Sequence, residues 1–452
     1  MQNVNKGFGL LFEMGCGKTL TAIAIAGAGY QMGKVERLLI VAPTSVVAVW
    51  PKELQEYAKF KYTCKTLLGE KKQRIKQIDD LLKFPFKALK VAVINYESTW
   101  RPEILEKLKE FDADMVIADE SQRIKTYDAA QSKAMHELGD QARYKLILSG
   151  TPVQTAAIDI WSQYRFLDKT VFGDNFFKFR GRYAIMGGYG NKKIVGYKDL
   201  EGLIKKEHSI AFRVTKDEAL DLPEQTFETR KIQFNQKEKN LYERIKKDSY
   251  AELDGGGHIT ATTVLTRLLR LQQLAGGFLV QDDAQKPQLV SRAKLDALAD
   301  IIEDYVVGSG KKLVIFARFI AEVKAIIELA DKVLPKNLKH VAIYGDIKKE
   351  DRGDIVKQFQ EDPETVLFIG QIDTAGTGIT LTAADTCVYY SKNFNYATYS
   401  QSLSRIHRIG QRNCCTYIDL EIEKTIDEQI SRALSRKEDM AKTVVDNWRD
   451  FF

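Results

Sequence analysis

The stretch Gly9-Leu10-Leu11-Phe12-Glu13-Met14-Gly15-Cys16-Gly17-Lys18-Thr19 decides the fold, and the apolar run of residues 20–28 follows it directly. Apolar residues lead into a loop with two glycines, and the loop opens a helix with a lysine and a threonine in its first turn. Glycines let backbone N–H groups approach phosphate oxygens, and the N-terminus of a helix adds partial positive charge. This order of residues predicts a loop that binds a nucleoside triphosphate.

The residues of this loop have different predicted roles. We expect the backbone of residues 14–17, which are Met14, Gly15, Cys16 and Gly17, to line the phosphates. Lys18 is expected to neutralise the β- and γ-phosphates, and the Thr19 hydroxyl to bind Mg²⁺. The full pattern G-x-x-x-x-G-K-[ST] has a glycine where Phe12 stands, so its second half alone is present. An ordinary glycine turn is the alternative, but it leaves Gly-Lys-Thr unexplained.

Length and composition restrict the class of protein. The chain has 452 residues, of which 44% are hydrophobic and 29% charged, as in a globular protein of about three domains. The net charge of +7, from 68 basic and 61 acidic residues, permits a polyanionic partner without requiring one. The apolar residues 38–50 are interrupted by Pro43, Thr44 and Ser45, and residues 1–6 are polar, which excludes a membrane span and a signal peptide there.

The five cysteines form no C-x-x-C pair and have no flanking histidines at ligand spacing. This pattern argues against a zinc site and a disulfide framework. It favours a reducing compartment, so we expect the protein in the cytoplasm.

Short apolar segments alternate with amphipathic ones over residues 9–165. Strands are predicted at residues 38–42, 91–95, 115–118 and 145–148, and helices after Thr19 and at residues 49–60, 73–83 and 102–110. Such alternation predicts an α/β fold with a parallel sheet covered by helices on both faces. Ligands of these sheets bind beyond the carboxyl ends of the strands.

Two acidic residues follow the strand of residues 115–118. We expect Asp119 to hold Mg²⁺ and Glu120 to orient and deprotonate the attacking water. The alternative is that the pair caps the next helix. The phosphate loop upstream favours the catalytic interpretation.

Polar residues also follow the strand of residues 145–148. Ser149, Thr151 and Gln154 are placed where they can sense the γ-phosphate. A plain turn into a helix, with Pro152 at the first helical position, fits the same residues.

A second α/β series begins at Lys294, after a helical and aromatic region that interrupts the first. Strands are predicted at residues 312–316, 341–344, 366–369, 386–390 and 416–420. Two similar series predict two lobes of like fold with a cleft between them. Because no second phosphate loop appears in the sequence, we expect the second lobe to assist the first.

Two motifs of the second series can face an anion. Residues 371–381 include Gly376 and Gly378, whose backbone N–H groups can approach a phosphate closely. Further on, Arg405 and Arg408 are three residues apart, which predicts one shared helical face suited to a γ-phosphate. Alone, such a pair is usually a solvated helix face.

Together these motifs resemble the Swi/Snf-type ATPases, a DNA-translocating branch of helicase superfamily two. The resemblance rests on residues 13–19, Val41-Ala42-Pro43-Thr44-Ser45 with Trp50, Asn95-Tyr96-Glu97, Asp119-Glu120-Ser121-Gln122, Ser149-Gly150-Thr151-Pro152-Val153-Gln154 and residues 401–411. It covers nearly the whole chain. Because no inserted chromatin reader is seen in the sequence, we expect a lean bacterial or bacteriophage member in the cytoplasm of a bacterium or a phage-infected cell, and a nuclear protein if it is eukaryotic. It implies two RecA-like parallel-sheet lobes at residues 1–165 and 291–425, helical protrusions at residues 166–290, and a brace helix at residues 426–452.

The resemblance also implies roles for particular residues. Arg405 and Arg408 are expected to act as arginine fingers on the γ-phosphate. Gly376 and Gln401 are expected to contact the nucleotide as well. By the same resemblance, the backbone phosphates of DNA contact Pro43, Thr44 and Ser45 on the first lobe and Thr377 and Gly378 on the second.

The function that follows is a DNA-stimulated ATPase that uses ATP and Mg²⁺ and moves along duplex DNA. We expect it to act as a monomer, alone or with an unidentified protein partner. A strand-separating helicase on DNA or RNA and a nucleotide-gated DNA clamp remain alternatives. The chain starts too close to the phosphate loop to hold the family's adenine-reading glutamine motif, so we expect a truncated product or weaker nucleotide selectivity. Ser121 and Gln122 stand where the family typically has Ala-His, which affects coupling between the lobes.

Overall fold

The computed structural model describes residues 7–44, 46–154, 156–188, 190, 193–254, 261–279, 287–348, 350–375 and 379–441. The chain divides into two compact units, Met1–Leu220 with Lys437–Phe452 and Asp221–Arg436. Each unit is built around a parallel β-sheet with helices, so the predicted α/β class is confirmed.

The strands of the first unit alternate with helices along the chain. They are β1 (Gly7–Phe12), β2 (Arg37–Ala42), β3 (Tyr62–Thr66), β4 (Leu89–Asn95), β5 (Met115–Asp119), β6 (Tyr144–Leu148), β7 (Ala184–Gly187), β8 (Lys193–Tyr197) and β9 (Ala211–Val214). Over the described ranges, seven of them form one parallel sheet in the order β3-β4-β2-β5-β6-β1-β9, and β7 and β8 form an antiparallel hairpin. The four strands predicted here are confirmed as β2, β4, β5 and β6.

The helices of this unit follow the strands. They are α1 (Lys18–Gln31), α2 (Trp50–Tyr57), α3 (Lys71–Leu82), α4 (Tyr96–Thr99), α5 (Pro102–Phe111), α6 (Ala130–Gln141), α7 (Ile160–Leu167), α8 (Lys169–Phe172), α9 (Phe176–Tyr183), α10 (Leu200–His208) and α11 (Lys216–Ala219). A short 3₁₀ turn, Ser121–Ile124, follows β5.

Successive residues of the central strands pack on opposite faces of the first sheet. Leu38 of β2 belongs to a buried cluster with Ile23 of α1, whereas its neighbour Leu39 belongs to a second cluster with Leu108 of α5. A strand that is buried on both faces needs a continuous apolar run rather than an alternating one. This explains why β2 reads Arg-Leu-Leu-Ile-Val-Ala.

The second unit contains β10 (Gln225–Ile232), β11 (Phe278–Leu279), β12 (Gln288–Leu289), β13 (Leu313–Ala317), β14 (Lys339–Ile343), β15 (Thr365–Gln371), β16 (Thr386–Tyr389) and β17 (Cys415–Ile422). Within the described part of the chain, six of them form a parallel sheet in the order β10-β17-β16-β13-β15-β14. The five predicted strands are confirmed as β13 to β17. Strand β10 was not predicted from the sequence, because most of its residues are exposed and it lacks the apolar run of a buried strand.

The helices of the second unit are α12 (Gln236–Asp254), α13 (Ala261–Ala275), α14 (Ala293–Ile302), α15 (Ile320–Val333), α16 (Arg352–Glu361), α17 (Ile372–Ala375), α18 (Tyr396–Leu403) and α19 (Ile426–Ala441), the last of which continues past Arg436. The predicted protrusion region, residues 166–290, divides between the two units at Leu220. The four-part domain organisation therefore stays a prediction. None of the helices in the described ranges has the length and apolarity needed to cross a membrane.

Candidate nucleotide-binding site

The predicted phosphate loop connects β1 to α1. Gly15 and Gly17 adopt φ angles of 91° and 84°, in the region that favours glycine. An added Cβ at Gly17 would meet no heavy atom within 4 Å, so the backbone angle rather than the space around it requires glycine. Gly17 is also the N-cap of α1. The loop therefore owes its shape to both glycines.

The Lys18 side chain is directed back along the loop. Its Nζ donates hydrogen bonds to the carbonyl oxygens of Phe12, at 2.8 Å, and Glu13, at 3.2 Å. Burial lowers the pKa of Lys18, while the charges of Glu120 and Asp119 work in the opposite direction. The structure thus brings the predicted lysine and both predicted acids into one electrostatic environment, across the neighbouring strands β1, β6 and β5.

Asp119 is buried at the end of β5, and its carboxylate accepts hydrogen bonds from the Trp50 side chain and from the backbone of Glu120. The indole N–H of Trp50 donates to Asp119 Oδ2 at 2.9 Å. Burial, followed by the neighbouring charge of Glu120, raises the pKa of Asp119 to about 7, although the Trp50 hydrogen bond and Lys18 oppose this shift. A cation beside this carboxyl group would stabilise its ionised form and lower its pKa.

Glu120 begins a hydrogen-bonded chain that runs to the next strand end. Its backbone has a φ of 51°, an uncommon angle for a residue other than glycine. Its Oε2 accepts from Gln122 Nε2 at 2.5 Å, and Gln122 Oε1 accepts from Ser149 Oγ at 2.8 Å. Ser149 Oγ in turn accepts from the backbone N–H of Thr151 at 3.1 Å. Gln122 thus bridges the acidic motif and the turn after β6.

A second connection joins the same two segments. The Ser121 hydroxyl donates to Gln163 Oε1 at 2.6 Å, and Gln163 Nε2 donates to the carbonyl oxygen of Pro152 at 2.8 Å. Both positions where this chain differs from the Ala-His of the resembled family therefore carry hydrogen bonds toward the turn of residues 149–152.

The remaining predicted nucleotide contacts of the first unit lie in the loop, at the start of α1 and in the turn after β6. Met14, Cys16 and Thr19 are half-buried. Burial, followed by the charge of Glu13, raises the pKa of the Cys16 thiol, so this cysteine is a weak nucleophile at neutral pH. Gln154 Oε1 accepts a hydrogen bond from Lys125 Nζ at 2.9 Å.

The predicted Mg²⁺ ligands, Thr19 and Asp119, are a hydroxyl and a carboxylate, which are the hard oxygen donors that Mg²⁺ prefers. Over the described residues there is no group of three or more His, Cys, Asp or Glu side chains that could hold a metal by themselves. Mg²⁺ commonly binds through one or two carboxylates together with phosphates of a substrate. The donor set therefore fits a metal that arrives with the nucleotide.

The predicted DNA contacts of the first unit lie at the carboxyl end of β2. Pro43 is buried, whereas Thr44 is exposed and its hydroxyl donates to Glu97 Oε2 at 3.1 Å. Partial burial acts to raise the pKa of Glu97, but hydrogen bonds, including those from Asn95 and Thr44, outweigh it and lower that pKa. Ser45 lies outside the described residues, as do Gly376, Thr377 and Gly378 of the second unit.

In the second unit, the prediction that Arg405 and Arg408 share a helical face is wrong. Helix α18 ends at Leu403, and both arginines lie in the turns that follow. Gly410, with a φ of 100°, is incompatible with a continuing helix. The turns nevertheless bring the two guanidiniums together, because Nη1 of each donates to the carbonyl oxygen of Ile379, at 3.1 and 3.4 Å.

The two arginines and the nearby Gln401 differ in their surroundings. Arg405 is 2% exposed and its Nε also donates to the carbonyl oxygen of Gln401 at 2.9 Å. Arg408 is half-buried. His407 Nε2 lies 2.8 Å from the carbonyl oxygen of Pro223, which agrees with a structural role for this histidine.

Three residues around the site were not predicted from the sequence to have a role: Trp50, Gln163 and Arg213. Each acts through a contact with a residue far along the chain. Burial of these side chains is the property that could have indicated a role, because a buried indole, amide or guanidinium N–H group needs a hydrogen-bond partner.

Two known domain families match most of the sequence. The SNF2-related domain matches residues 2–276, and the helicase conserved C-terminal domain matches residues 293–410. The uncharacterized ATP-dependent helicase MG018 of Mycoplasma genitalium is 25% identical over 450 residues, which cover 97% of this chain and 40% of that protein. The putative ATP-dependent helicase/translocase YwqA of Bacillus subtilis is 28% identical over 459 residues, covering 98% and 47%.

The DNA annealing helicase and endonuclease ZRANB3 of Mus musculus is 27% identical over 437 residues, covering 94% of this chain and 38% of that protein. The chain thus spans less than half the length of these curated relatives. The solved Swi2/Snf2 ATPase core of Sulfolobus solfataricus in complex with double-stranded DNA covers 98% of this chain and 89% of its own, at 25% identity and a TM-score of 0.43, too low to support an argument about structure. Because the SNF2-related domain alone matches more than half of the sequence, the chain belongs to the SNF2-related family.

Proposed function

We propose that the chain hydrolyses ATP and uses hydrolysis to move along duplex DNA. The observation that supports this most is the convergence of Lys18, Asp119 and Glu120 beside a glycine loop at the carboxyl ends of neighbouring strands. Such a set can grip phosphates, hold a metal and activate water. The names of the relatives, which include ATP-dependent helicases and a translocase, agree with this chemistry.

The chemical step divides among these residues. Backbone N–H groups of the loop and the Lys18 ammonium bind the β- and γ-phosphates, which exchanges the present Lys18 contacts with loop carbonyls for phosphate oxygens. Glu120 accepts a proton from the attacking water, and Gln122 holds the Glu120 carboxylate in place. Asp119 and Thr19 would hold Mg²⁺, which neutralises charge on the phosphates when bound.

Arg405 and Arg408 are proposed to complete this site from the second unit. Their support is that both guanidiniums already lie against one carbonyl oxygen, so they can move as a pair. Arginines that stabilise the transferring phosphoryl group raise turnover strongly. If hydrolysis requires both units, then a ligand that favours their closed arrangement must accelerate it.

Duplex DNA is the proposed accelerating ligand. The net charge of +7 permits a polyanion, and one relative is named a DNA annealing helicase. We propose that Pro43, Thr44 and Ser45 on one unit and Thr377 and Gly378 on the other contact backbone phosphates. Phosphate contacts carry no sequence information, so binding should be salt-sensitive and sequence-tolerant.

The test is steady-state ATP turnover with duplex DNA, single-stranded DNA or RNA, followed by displacement of a third strand from a triplex. We expect duplex DNA to stimulate most and the third strand to be displaced while a forked duplex stays paired. Equal turnover with and without every nucleic acid would overturn the proposal.

A strand-separating helicase is a second candidate, because hairpin β7–β8 carries exposed apolar side chains. Ile185 is 44% and Val195 60% exposed, as expected of a pin that unstacks bases. Splitting of the forked duplex would favour this candidate. The third possibility is a nucleotide-gated clamp. It predicts DNA binding that depends on ATP, with phosphate release no faster than in a reaction without the protein.

A further inference from the structure

The last ten residues of the first unit before the chain enters the second unit contact the phosphate loop. These residues, 211–220, are called the exit segment and contain β9 and α11. Strand β9 pairs with β1 from Gly9↔Ala211 to Phe12↔Val214, and the backbone N–H of Glu13 donates to the carbonyl oxygen of Val214 at 2.9 Å. The exit segment is thus the direct lateral neighbour of the strand that leads into the loop.

Arg213, in the middle of the exit segment, is 4% exposed and contacts three separate parts of the site. Its Nη1 donates to the carbonyl oxygens of Leu11, at 2.8 Å, and Gly150, at 3.3 Å, and its Nη2 donates to Glu13 Oε1 at 3.0 Å. A planar guanidinium can serve acceptors in several directions at once, which one ammonium cannot. Burying this cation is unfavourable unless it is paired, and Glu13 is its carboxylate partner.

Glu13 connects this arginine to the predicted catalytic lysine. Its Oε2 accepts from the backbone N–H of Lys216 at 2.9 Å, so the carboxylate contacts the exit segment at two points. Its carbonyl oxygen accepts from Lys18 Nζ at 3.2 Å and from the backbone N–H of Cys16 at 3.2 Å. One residue therefore joins Lys18 and the exit segment.

Gly150 belongs to the turn that Gln122 links to Glu120, and it lies close to the loop. A Cβ at Gly150 would stand 3.3 Å from the carbonyl oxygen of Phe12 and 3.6 Å from Lys18 Nζ. Arg213 thus joins the loop, which grips phosphates, to the turn beside the base that acts at the γ-phosphate. A diphosphate can engage the loop, but it has no γ-phosphate to engage the side of the base.

We propose that Arg213 and Glu13 are positioning residues that make the first unit distinguish ATP from ADP and transmit the difference to the exit segment. This inference rests on the proposed ATP hydrolysis, because it assigns the γ-phosphate to the side of Glu120. Nucleotide exchange at the loop then changes the segment through which the chain continues into the second unit.

The test compares R213K, E13Q and the double variant in the full chain, with R182K as the matched control. Arg182 forms an exposed ion pair with Asp199 at 3.2 Å in the same unit. Affinities for a fluorescent non-hydrolysable ATP analogue and for fluorescent ADP are measured with Mg²⁺. Hydrogen exchange of residues 211–220 is followed in parallel.

We expect R213K and E13Q each to weaken binding of the ATP analogue about tenfold and of ADP at most about twofold. The double variant should be no weaker than either single variant, because all three disrupt one shared network. The analogue should protect the exit segment in the parent chain and R182K but not in R213K or E13Q. Melting temperatures identify a variant that fails to fold, in which case the other variant decides.

Equal losses for both nucleotides would overturn the inference, because that pattern means a purely structural role. Unchanged affinities in both variants would overturn it as well. Turnover of the parent chain separates the two failures: a parent that hydrolyses ATP while its variants bind normally contradicts this inference alone. A parent that binds nucleotide but does not hydrolyse it contradicts the proposed function instead.

Discussion

The two units of the chain each bury a carboxylic acid near the carboxyl end of a central strand, and the acids have different neighbours. Asp119 ends β5, and Glu322 lies in the first turn of α15, which follows β13. Burial is the main cause that raises the pKa of each to about 7. Asp119 lies beside the second carboxylate of Glu120 and near Lys18, whereas Glu322 Oε2 accepts from the backbone N–H groups of Arg318, at 3.1 Å, and Phe319, at 3.0 Å.

This difference shows that a raised pKa does not by itself mark a catalytic carboxyl. Glu322 satisfies the N-terminus of its own helix and also accepts from Ser391 Oγ at 2.5 Å. Asp119 accepts hydrogen bonds from the indole N–H of Trp50 and from the backbone of Glu120, and its charged neighbours are Glu120 and Lys18. We therefore propose chemistry for Asp119, which lies beside Glu120 and Lys18, and helix capping for Glu322. Four predictions test that distinction.

The largest effect is expected for R408Q in the second unit. Loss of an arginine that stabilises the transition state should reduce turnover at saturating duplex DNA by about 1,000-fold. Nucleotide affinity should change far less, because the phosphate loop is intact. The exposed Arg412 supplies the control variant R412Q, which should keep normal turnover. We choose Arg408 over Arg405 because the buried Arg405 also supports local structure. Normal turnover of R408Q would remove this arginine from the site.

The next effect is expected for E120Q. The amide cannot accept the proton from water, so turnover should fall by about 100-fold or more while ATP binding is retained. Phosphate release and binding of a fluorescent ATP analogue measure the two quantities separately. E110Q, on the exposed end of α5, is the control. Turnover of E120Q close to that of E110Q would show that another group is the base.

A smaller effect is expected for W50F, which removes the hydrogen bond to Asp119. A hydrogen bond to a carboxylate contributes enough that turnover should fall by about tenfold. W161F is a matched control, because among the described residues the Trp161 indole N–H is buried without a hydrogen-bond partner. Turnover is compared at saturating Mg²⁺ and duplex DNA. Equal turnover of the two variants would mean that Trp50 only fills space.

The smallest effect on turnover is expected for E322Q, which should instead change stability with pH. The pKa of Glu322 is about 7 in the folded protein, compared with an ordinary value near 4.5. The free energy of unfolding of the parent therefore falls as the pH rises through this range, because the unfolded chain ionises Glu322 more readily than the folded one. The gap in free energy of unfolding between E322Q and the parent should grow in favour of E322Q by about 2 to 3 kcal/mol between pH 5 and pH 8.

Chemical denaturation at the two pH values measures this gap, with E328Q on the exposed side of α15 as the control. Lys294, Arg318 and Tyr390 interact electrostatically with Glu322, and the Ser391 hydroxyl donates to it; all four residues are retained in the two variants. A gap independent of pH, or a large loss of turnover in E322Q, would erase the contrast between the two acids.

Local patterns in the sequence were enough to predict most strands of both sheets, the glycine loop after β1 and the two acids after β5. Strands β2, β4, β5 and β6 are mostly apolar runs. A strand that is buried on both faces needs such a run, so the sequence predicts it directly. The loop is likewise local, because the positive φ angles of Gly15 and Gly17 require glycine at fixed positions. Polar residues that end buried strands then fall at one edge of a parallel sheet.

How these residues are held depends on contacts between segments that are far apart in the sequence. The hydrogen bond from Trp50 to Asp119 joins residues that are 69 positions apart, and the one from Arg213 to Glu13 joins residues 200 apart. A local hydrophobic pattern cannot predict such pairs. The tertiary structure also decided that Arg405 and Arg408 meet in turns rather than on a helix, because α18 ends before either of them. Local patterns report whether a segment is buried, whereas the partner of a buried polar group depends on which segments the fold makes neighbours.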